Sequence, residues 1–127
     1  MNRINFNGFT NRMEVIEAVR NADIAIFLSS IECFGITVLE YMRLGMPIIC
    51  SNQSSMPETI KDGGVLVDPT DSMEIANAIE NLASDYDQRE LLGKRALKYS
   101  YQYSWEECIC QTYNHLNHVK KLIQNGR

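Results

Sequence analysis

A strand-to-helix junction built around one glycine is the feature that most restricts the fold of this chain. Residues 24–28 form a continuous apolar run, which is typical of a parallel strand buried on both faces. Gly35 follows, and a helical pattern begins near Thr37. Such a junction directs backbone N–H groups and the positive end of the helix dipole towards the space above the strand ends. It therefore predicts an α/β fold with a site for an anion such as a diphosphate.

Two glutamates, Glu32 and Glu40, lie on either side of this junction. Carboxylates do not hold phosphate, but they accept hydrogen bonds from hydroxyls, so a sugar or ribose would fit beside the phosphates. A purely structural role for these two glutamates is an alternative. Thr37 with Glu40, and Ser29 with Glu32, have the spacing of a capping box, in which the acid only closes a helix start.

Strand and helix patterns alternate along the rest of the chain, which implies a mostly parallel sheet flanked by helices, a Rossmann-like α/β fold. Asp71 with Glu74, and Ser104 with Glu107, are predicted to cap helices. In the helix that follows residue 86, Leu91, Leu92 and Ala96 are expected to face inward. The predicted strands are 4–6, 24–28, 48–50 and 65–67, and the predicted helices are 13–20, 37–44, 56–60, 73–83, 87–101 and a last one after Ser104.

Size and composition narrow the function classes. The 127 residues suit one domain, and the formal charge of −4 argues against a nucleic-acid surface. No apolar leader or bilayer-length run is present, which predicts a cytoplasmic protein. The cysteines Cys33, Cys50, Cys108 and Cys110 form no C-x-x-C pair and are expected to be reduced.

Several residues near the carboxyl end favour structural roles. His115 and His118 could share a helix face, but no neighbouring acid or cysteine completes a tetrahedral set, so a metal site is not expected. Trp105, just inside a helix start, is expected to be a packing anchor. Lys120 and Lys121 are too few charges for stable attachment to acidic lipid, and a solvated helix end is expected.

An ordered set of landmarks resembles the retaining glycosyltransferases of family four. The resemblance covers nearly the whole chain and implies the two-domain GT-B fold, with residues 1–127 as a partial C-terminal, donor-binding domain. It also implies a role in polysaccharide or glycolipid biosynthesis. The landmarks are Ala22-Asp23, Phe27-Leu28-Ser29, Glu32-Cys33-Phe34-Gly35, Glu40, Gly45-Met46-Pro47, Pro57-Glu58, residues 64–69 and Ser104-Trp105.

The resemblance assigns roles at the junction. Glu32 would accept hydrogen bonds from donor-sugar hydroxyls, and it is the nearest candidate for a catalytic group, the catalytic residues being otherwise unknown. Backbone groups of residues 33–35 would line the sugar and the diphosphate, and the amides of 36–37 would meet the distal phosphate. Glu40 would bind the ribose, and Phe9 lies where the family contacts the base. The donor-binding set is therefore Phe9, Glu32, Cys33, Phe34, Gly35, Ile36, Thr37 and Glu40.

The implied chemistry needs no metal and no other cofactor, because amides and basic side chains can stabilise the leaving diphosphate and no Asp-x-Asp motif is present. Glu32 and Glu40 are not expected to act as the carboxylate pair of a glycoside hydrolase. Two departures stand out. Cys33 replaces a glycine, which is unfavourable if the backbone there has positive φ. Thr37 replaces a proline and is expected to cap the helix instead.

The family also has parts that have no counterpart among these landmarks. Its sheet order is 3-2-1-4-5-6, and this chain resembles it from the third strand onwards. The chain is therefore expected to be a fragment, inactive alone, whose partners are a nucleoside-diphosphate sugar and a missing N-terminal domain or complementary chain. Unpaired strand edges favour self-association. The full-length enzyme could lie peripherally at a membrane.

Other functions are compatible with the sequence. The chain could be a non-catalytic nucleotide-sugar-binding module or one subunit of a split transferase. Sugar-nucleotide epimerases share the two-domain architecture, and a purely structural interaction domain is a further alternative.

Overall fold

A computed structural model describes residues 4–125 of the chain. Within that range helices and strands alternate up to the third strand, and three helices follow. In chain order the elements are α1 (Arg12–Arg20), β1 (Ala25–Phe27), α2 (Ile36–Arg43), β2 (Ile48–Ser51), α3 (Met56–Ile60), β3 (Gly64–Val67), α4 (Ser72–Ser84), α5 (Tyr86–Ser100) and α6 (Trp105–Asn125).

The three strands form one parallel sheet in the order β1-β2-β3. Ala25 lies opposite Ile48, and Ile48 lies opposite Gly64, so the strands begin in register. Every residue of the central strand β2 is buried, because helices cover both faces of the sheet. The predicted Rossmann-like α/β fold, a parallel sheet flanked by helices, is confirmed.

Side chains that alternate along β2 divide the core between the two faces of the sheet. Ile48 and Cys50 face one cluster, and Ile49 faces the other. The first cluster is completed by α2, α3 and α5, and the second by α4 and α5. Besides the residues of β2, the largest fully buried side chains on the first face are Val38, Met42, Met56 and Ile60, and those on the second are Val67 and Leu82.

The chain turns away from α2 where the sequence predicted, at Gly45, whose φ of +69° lies in the left-handed region. Gly93 of α5 packs against this turn. A Cβ atom added to Gly93 would overlap the carbonyl oxygen of Gly45. The backbones of α2 and α5 can therefore approach this closely only because position 93 has no side chain.

The strand predicted at residues 4–6 is wrong. These residues have no regular structure, and the side chains of Ile4 and Phe6 are 68% and 93% exposed. A strand needs a neighbour for its backbone hydrogen bonds, and the described residues supply none beside this segment. The outer edge of β1 is likewise unpaired within residues 4–125, and Ile26 is 44% exposed.

The later helices confirm most of the predicted faces. Asp71 accepts hydrogen bonds from the N–H groups of Met73 and Glu74, and so caps α4. The side chain of Glu74 bonds to the N–H of Asp68 instead of closing a reciprocal pair. In α5, Leu92 and Ala96 are buried as expected.

Two expectations about buried side chains in α5 and α6 are wrong. Leu91 was expected to face inward, but it is 48% exposed, because it lies off the stripe that contains Leu92 and Ala96. Ser104 does cap α6, its Oγ accepting from the Glu107 N–H at 3.1 Å. Trp105, expected to be a packing anchor, is 73% exposed because no described element covers it.

None of the helices in residues 4–125 is both long and apolar enough to cross a bilayer.

Candidate functional site

The loop between β1 and α2 is held in place by hydroxyl groups from the segment that follows β2. Ser54 Oγ accepts from the Glu32 N–H at 3.2 Å and donates to the Glu32 carbonyl oxygen at 2.6 Å. Ser55 Oγ donates to the same carbonyl at 3.1 Å. The backbone of Glu32 is thus fixed on both sides although the loop has no regular secondary structure.

Further along the loop, Phe34 has contacts on both its backbone and its ring. Thr59 Oγ1, from α3, lies 3.3 Å from the Phe34 carbonyl oxygen and 3.0 Å from the Ser55 carbonyl oxygen, so its one proton is shared between these two acceptors. The Phe34 ring meets the Tyr103 ring edge to face, with 5.5 Å between centroids and 76° between planes. Burial, and to a smaller degree the charge of Glu58, raises the pKa of Tyr103 above its ordinary value.

Gly35 turns the loop into the helix. It has φ +77° and ψ 55°, and it occupies the N-cap position of α2. A Cβ atom at this position would overlap the terminal methyl of Met56 and lie 3.1 Å from its sulfur. Both the backbone angle and the buried neighbour therefore require glycine here.

The first turn of α2 leaves backbone donors available. The N–H groups of Val38 and Leu39 bond to the Gly35 carbonyl at 2.9 and 3.2 Å. Within residues 4–125, the N–H groups of Ile36 and Thr37 have no protein acceptor. The first turn carries no acidic side chain, so the positive end of the helix dipole is not neutralised there. These features suit an anion.

Both capping-box interpretations of the two glutamates are wrong. The N-cap is Gly35, which leaves Thr37 inside the helix and unable to cap it, contrary to expectation. The structure prefers Gly35 because the left-handed N-cap conformation is easily adopted only by glycine. Ser29 Oγ donates to the Ile31 carbonyl at 3.2 Å, and no helix begins there for Glu32 to close.

Glu40 lies one turn into α2, where its carboxylate is exposed. Its Oε1 accepts from the guanidinium of Arg12, in the first turn of α1, at 3.0 Å. Both side chains face solvent, so the pair contributes on the order of 0–1 kcal/mol and can exchange for another partner. The contact also brings the start of α1 beside α2. Phe9, in the segment just before α1, is fully exposed.

Cys33 does not have the unfavourable backbone conformation that a cysteine in place of glycine could have imposed. Outside glycine, Ser54 and Lys61 are the described residues with positive φ, and Cys33 is not among them. Its thiol is free and exposed, as expected for a reduced cysteine. The other three cysteines are free as well, and burial raises the pKa of the Cys50 thiol to about 11.

Sequence reasoning missed the residues that support the loop. The Ser54-Ser55 pair follows a buried strand, and small hydroxyl residues at the carboxyl end of a strand were an available signal. Thr59 and Arg12 carried no comparable signal, because their contacts join segments 25 and 28 residues apart.

A parallel sheet with a glycine turn, a free helix start and a polar loop at the carboxyl end of one strand is the arrangement of α/β domains of the Rossmann-like class. Residues 1–99 match the family described as "Glycosyl transferases group 1". The chain belongs to this family, which confirms the broader part of the resemblance.

A curated relative supports this membership. The chain is 39% identical over 89 residues to the O-antigen chain mannosyltransferase B of Escherichia coli, an alignment that covers 70% of this chain and 23% of the relative. The chain spans about a quarter of the length of the curated relatives it matches.

Solved structures show the same fold. Sucrose-phosphate synthase from Thermosynechococcus elongatus matches with a TM-score of 0.81 and 27% identity, over 92% of this chain and 31% of the other. The C-terminal domain of the group 1 glycosyltransferase LpcC from Francisella tularensis matches with a TM-score of 0.68 and 26% identity, over 76% and 51%. Anabaena HepE, solved with UDP, matches at 0.76 and 22% identity, over 84% and 30%, and shows the fold alone.

Proposed function

We propose that this chain is the donor-binding part of the C-terminal domain of a retaining, family four glycosyltransferase. It binds a nucleoside-diphosphate sugar whose glycosyl group is transferred, with retention, to an acceptor that remains to be identified. The observation that carries the proposal is the junction itself. A loop pinned at Glu32 leads into a helix start whose Ile36 and Thr37 amides have no acceptor in the described residues.

The roles of the junction residues follow from charge and hydrogen bonding. Glycosyl transfer places negative charge on the leaving diphosphate, and the amides of residues 36–37 can stabilise that charge without reorganisation. Backbone groups of 33–35 line the sugar and diphosphate, and Glu32 accepts from sugar hydroxyls as the nearest catalytic candidate. Glu40 accepts from the ribose hydroxyls, and Phe9 lies on the side of the base. No resident metal or other cofactor is required.

Glu40 must change partners when the ribose binds. In the structure its carboxylate is paired with Arg12. Because both side chains are exposed, the ribose hydroxyls can compete for the carboxylate at little energetic expense. We therefore expect Glu40 to contribute more to nucleotide affinity than Arg12.

Placement in the C-terminal domain of a longer enzyme is supported by two findings. The curated relatives are about four times longer than the matched region, and one structural neighbour is itself a C-terminal domain. The acceptor site then belongs to other parts of the enzyme or to a complementary chain, and the isolated 127 residues bind donor without turnover. A polysaccharide or glycolipid acceptor and a cytoplasmic, membrane-peripheral reaction are part of this proposal, and the O-antigen chain in the name of the Escherichia coli relative favours the first of these.

Calorimetric titration of the chain with UDP, GDP and ADP tests donor binding. We expect one of these to bind and Glu40→Gln to weaken it about tenfold, whereas Glu80→Gln on α4 removes the same charge from an exposed site and leaves affinity unchanged. The bound nucleotide should also slow alkylation of the exposed Cys33. If none of the three nucleotides binds, or if both variants behave alike, the proposed site is wrong.

Turnover distinguishes the enzyme part from a non-catalytic module or split subunit. Incubation of the chain with nucleotide sugars should give no transfer. Fusion to the upstream region of the Escherichia coli mannosyltransferase should restore transfer if the chain is an enzyme part. Binding that persists while every such fusion stays inactive favours the non-catalytic module. Transfer by the unfused chain would contradict the assignment of the acceptor site to other parts of the enzyme.

A further inference from the structure

Glu32 is held by its backbone and not by its side chain. The residue is half-buried, and within residues 4–125 its carboxylate makes no hydrogen bond or ion pair with the protein. Glu40 differs, because Arg12 holds its carboxylate at 3.0 Å. The direction in which the Glu32 carboxylate points therefore depends on the conformation of the backbone that carries it.

Ser54 makes the contacts that fix this conformation. Its Oγ accepts from the Glu32 N–H at 3.2 Å and donates to the Glu32 carbonyl oxygen at 2.6 Å. Among the described residues the N–H group has no other protein acceptor, whereas the carbonyl oxygen also accepts from Ser55 at 3.1 Å. Without the Ser54 hydroxyl the N–H would be unpaired. Ser55 therefore does not duplicate the role of Ser54.

The rest of the junction is held by other residues. Thr59 Oγ1 lies 3.3 Å from the Phe34 carbonyl oxygen, and Gly35 packs against the buried Met56. The free amides at the start of α2 are fixed by the helix itself. Both hydrogen bonds of the Ser54 hydroxyl, by contrast, go to the backbone of Glu32.

We propose that Ser54 is a positioning residue for the sugar half of the donor, an inference that rests on the function proposed above. That function assigns Glu32 to the sugar hydroxyls, and it assigns Glu40 and the amides of residues 36–37 to the ribose and the diphosphate. Because Ser54 acts on Glu32 alone, its hydroxyl sets the affinity for the sugar and not the affinity for the nucleoside diphosphate. A carboxylate that is placed before the sugar arrives loses less conformational entropy on binding.

The backbone angle of Ser54 separates this role from a role in stability. Its φ of +59° is unfavourable for a residue with a Cβ and is easily adopted by glycine. Ser54→Gly removes two hydrogen bonds but relieves this angle, so its thermal transition should stay close to that of wild type. Ser54→Ala removes the same hydroxyl and keeps the angle, so it should be the less stable variant. Positioning by the hydroxyl predicts equal losses of sugar affinity in both variants.

Calorimetric titration with matched ligands tests the proposal. The probes are UDP and UDP-glucose, GDP and GDP-mannose, and ADP and ADP-glucose. For the pair that wild type binds, we expect both Ser54 variants to bind the sugar form about tenfold more weakly and the nucleoside diphosphate unchanged. Lys61→Gly is the matched control, because its φ is also positive, at +53°, while its hydrogen bonds go to Pro57 and Gln102. It should leave both affinities unchanged.

Hydrogen exchange of the Glu32 amide, measured by NMR on the free chain, tests the contact without a ligand. Exchange should be about tenfold faster in both Ser54 variants than in wild type or Lys61→Gly. Unchanged exchange overturns the proposal. Unchanged affinity for the sugar form, or equal losses for both ligands of the pair, also overturns it but leaves donor binding in place. If wild type binds none of the probes, the proposed function fails, and this inference fails with it.

Discussion

Replacing Gly35 by alanine is predicted to destabilise the fold by about 2–5 kcal/mol. Gly35 has φ +77°, and a left-handed conformation is unfavourable for a residue with a Cβ by about 1–2 kcal/mol. The new methyl group would also overlap the terminal methyl of the fully buried Met56. Forcing an extra carbon into a packed core adds about 1–3 kcal/mol.

Gly45→Ala separates the two contributions. Its φ of +69° is similar, but the nearest atom to an added Cβ is the Gly93 carbonyl oxygen at 3.8 Å, which is an ordinary contact. This control should therefore lose only the conformational part, about 1–2 kcal/mol. The difference between the two variants measures the overlap with Met56.

Urea unfolding followed by circular dichroism gives the free energies, and a double-mutant cycle assigns the overlap to its partner. Met56→Ala removes the atoms that Gly35→Ala would overlap, so the double variant should be more stable than the sum of the single effects predicts, by about 1–3 kcal/mol. Equal destabilisation by Gly35→Ala and Gly45→Ala, or strict additivity with Met56→Ala, would refute the steric account of this junction.

Three further predictions concern other contacts of the fold. Gly93→Ala should lower the free energy of unfolding in urea by about 1–3 kcal/mol, because the alanine Cβ would overlap the Gly45 carbonyl oxygen although alanine favours helix more than glycine does. Unchanged stability would contradict this. Tyr99→Phe should lower the free energy of unfolding at neutral pH, because the Tyr99 hydroxyl donates to Asp62 and thereby lowers the pKa of that carboxyl from 3.8. That contribution is present above pH 3.8 and is lost as the pH falls through the lowered pKa, so wild type and variant should converge in acid; a constant difference would exclude the linkage. Cys50, whose pKa burial raises to about 11, should react with a thiol reagent only on unfolding, whereas rapid labelling of all four cysteines in the native state would contradict its burial.

The elements that sequence reasoning predicted well are those whose information is local. The apolar run of β1, the helical spacing of α4 and the glycine that ends α2 each lie within one short segment, so periodicity and turn chemistry were sufficient. The Asp71 and Ser104 caps were found for the same reason.

The predictions that were wrong depended on distant partners. Ile4 and Phe6 alternate like a strand, but no neighbouring strand lies beside them in the described part of the chain. Thr37 had the right chemistry for a cap, yet Gly35 takes that position because the N-cap has a left-handed conformation that glycine adopts easily, and an added Cβ would overlap the Met56 methyl. Trp105 was expected to pack, and no described element reaches it. Local sequence specifies what a residue can do but not which partner is present.

The donor-site roles remain predictions, and the contacts that hold the junction in place come from one short segment, residues 54–60. Residues 54–60 supply the hydroxyls that hold Glu32, the hydroxyl that bonds Phe34 and the methionine that restricts Gly35. Ser54 itself has φ +59°, an unfavourable angle for a residue other than glycine. Serine at this position offsets that unfavourable angle, because its hydroxyl makes two hydrogen bonds to the Glu32 backbone that glycine could not make. The unfavourable backbone angle of Ser54 is therefore offset by hydrogen bonds that fix the neighbouring loop. This arrangement is expected for a loop that is ordered before a ligand binds.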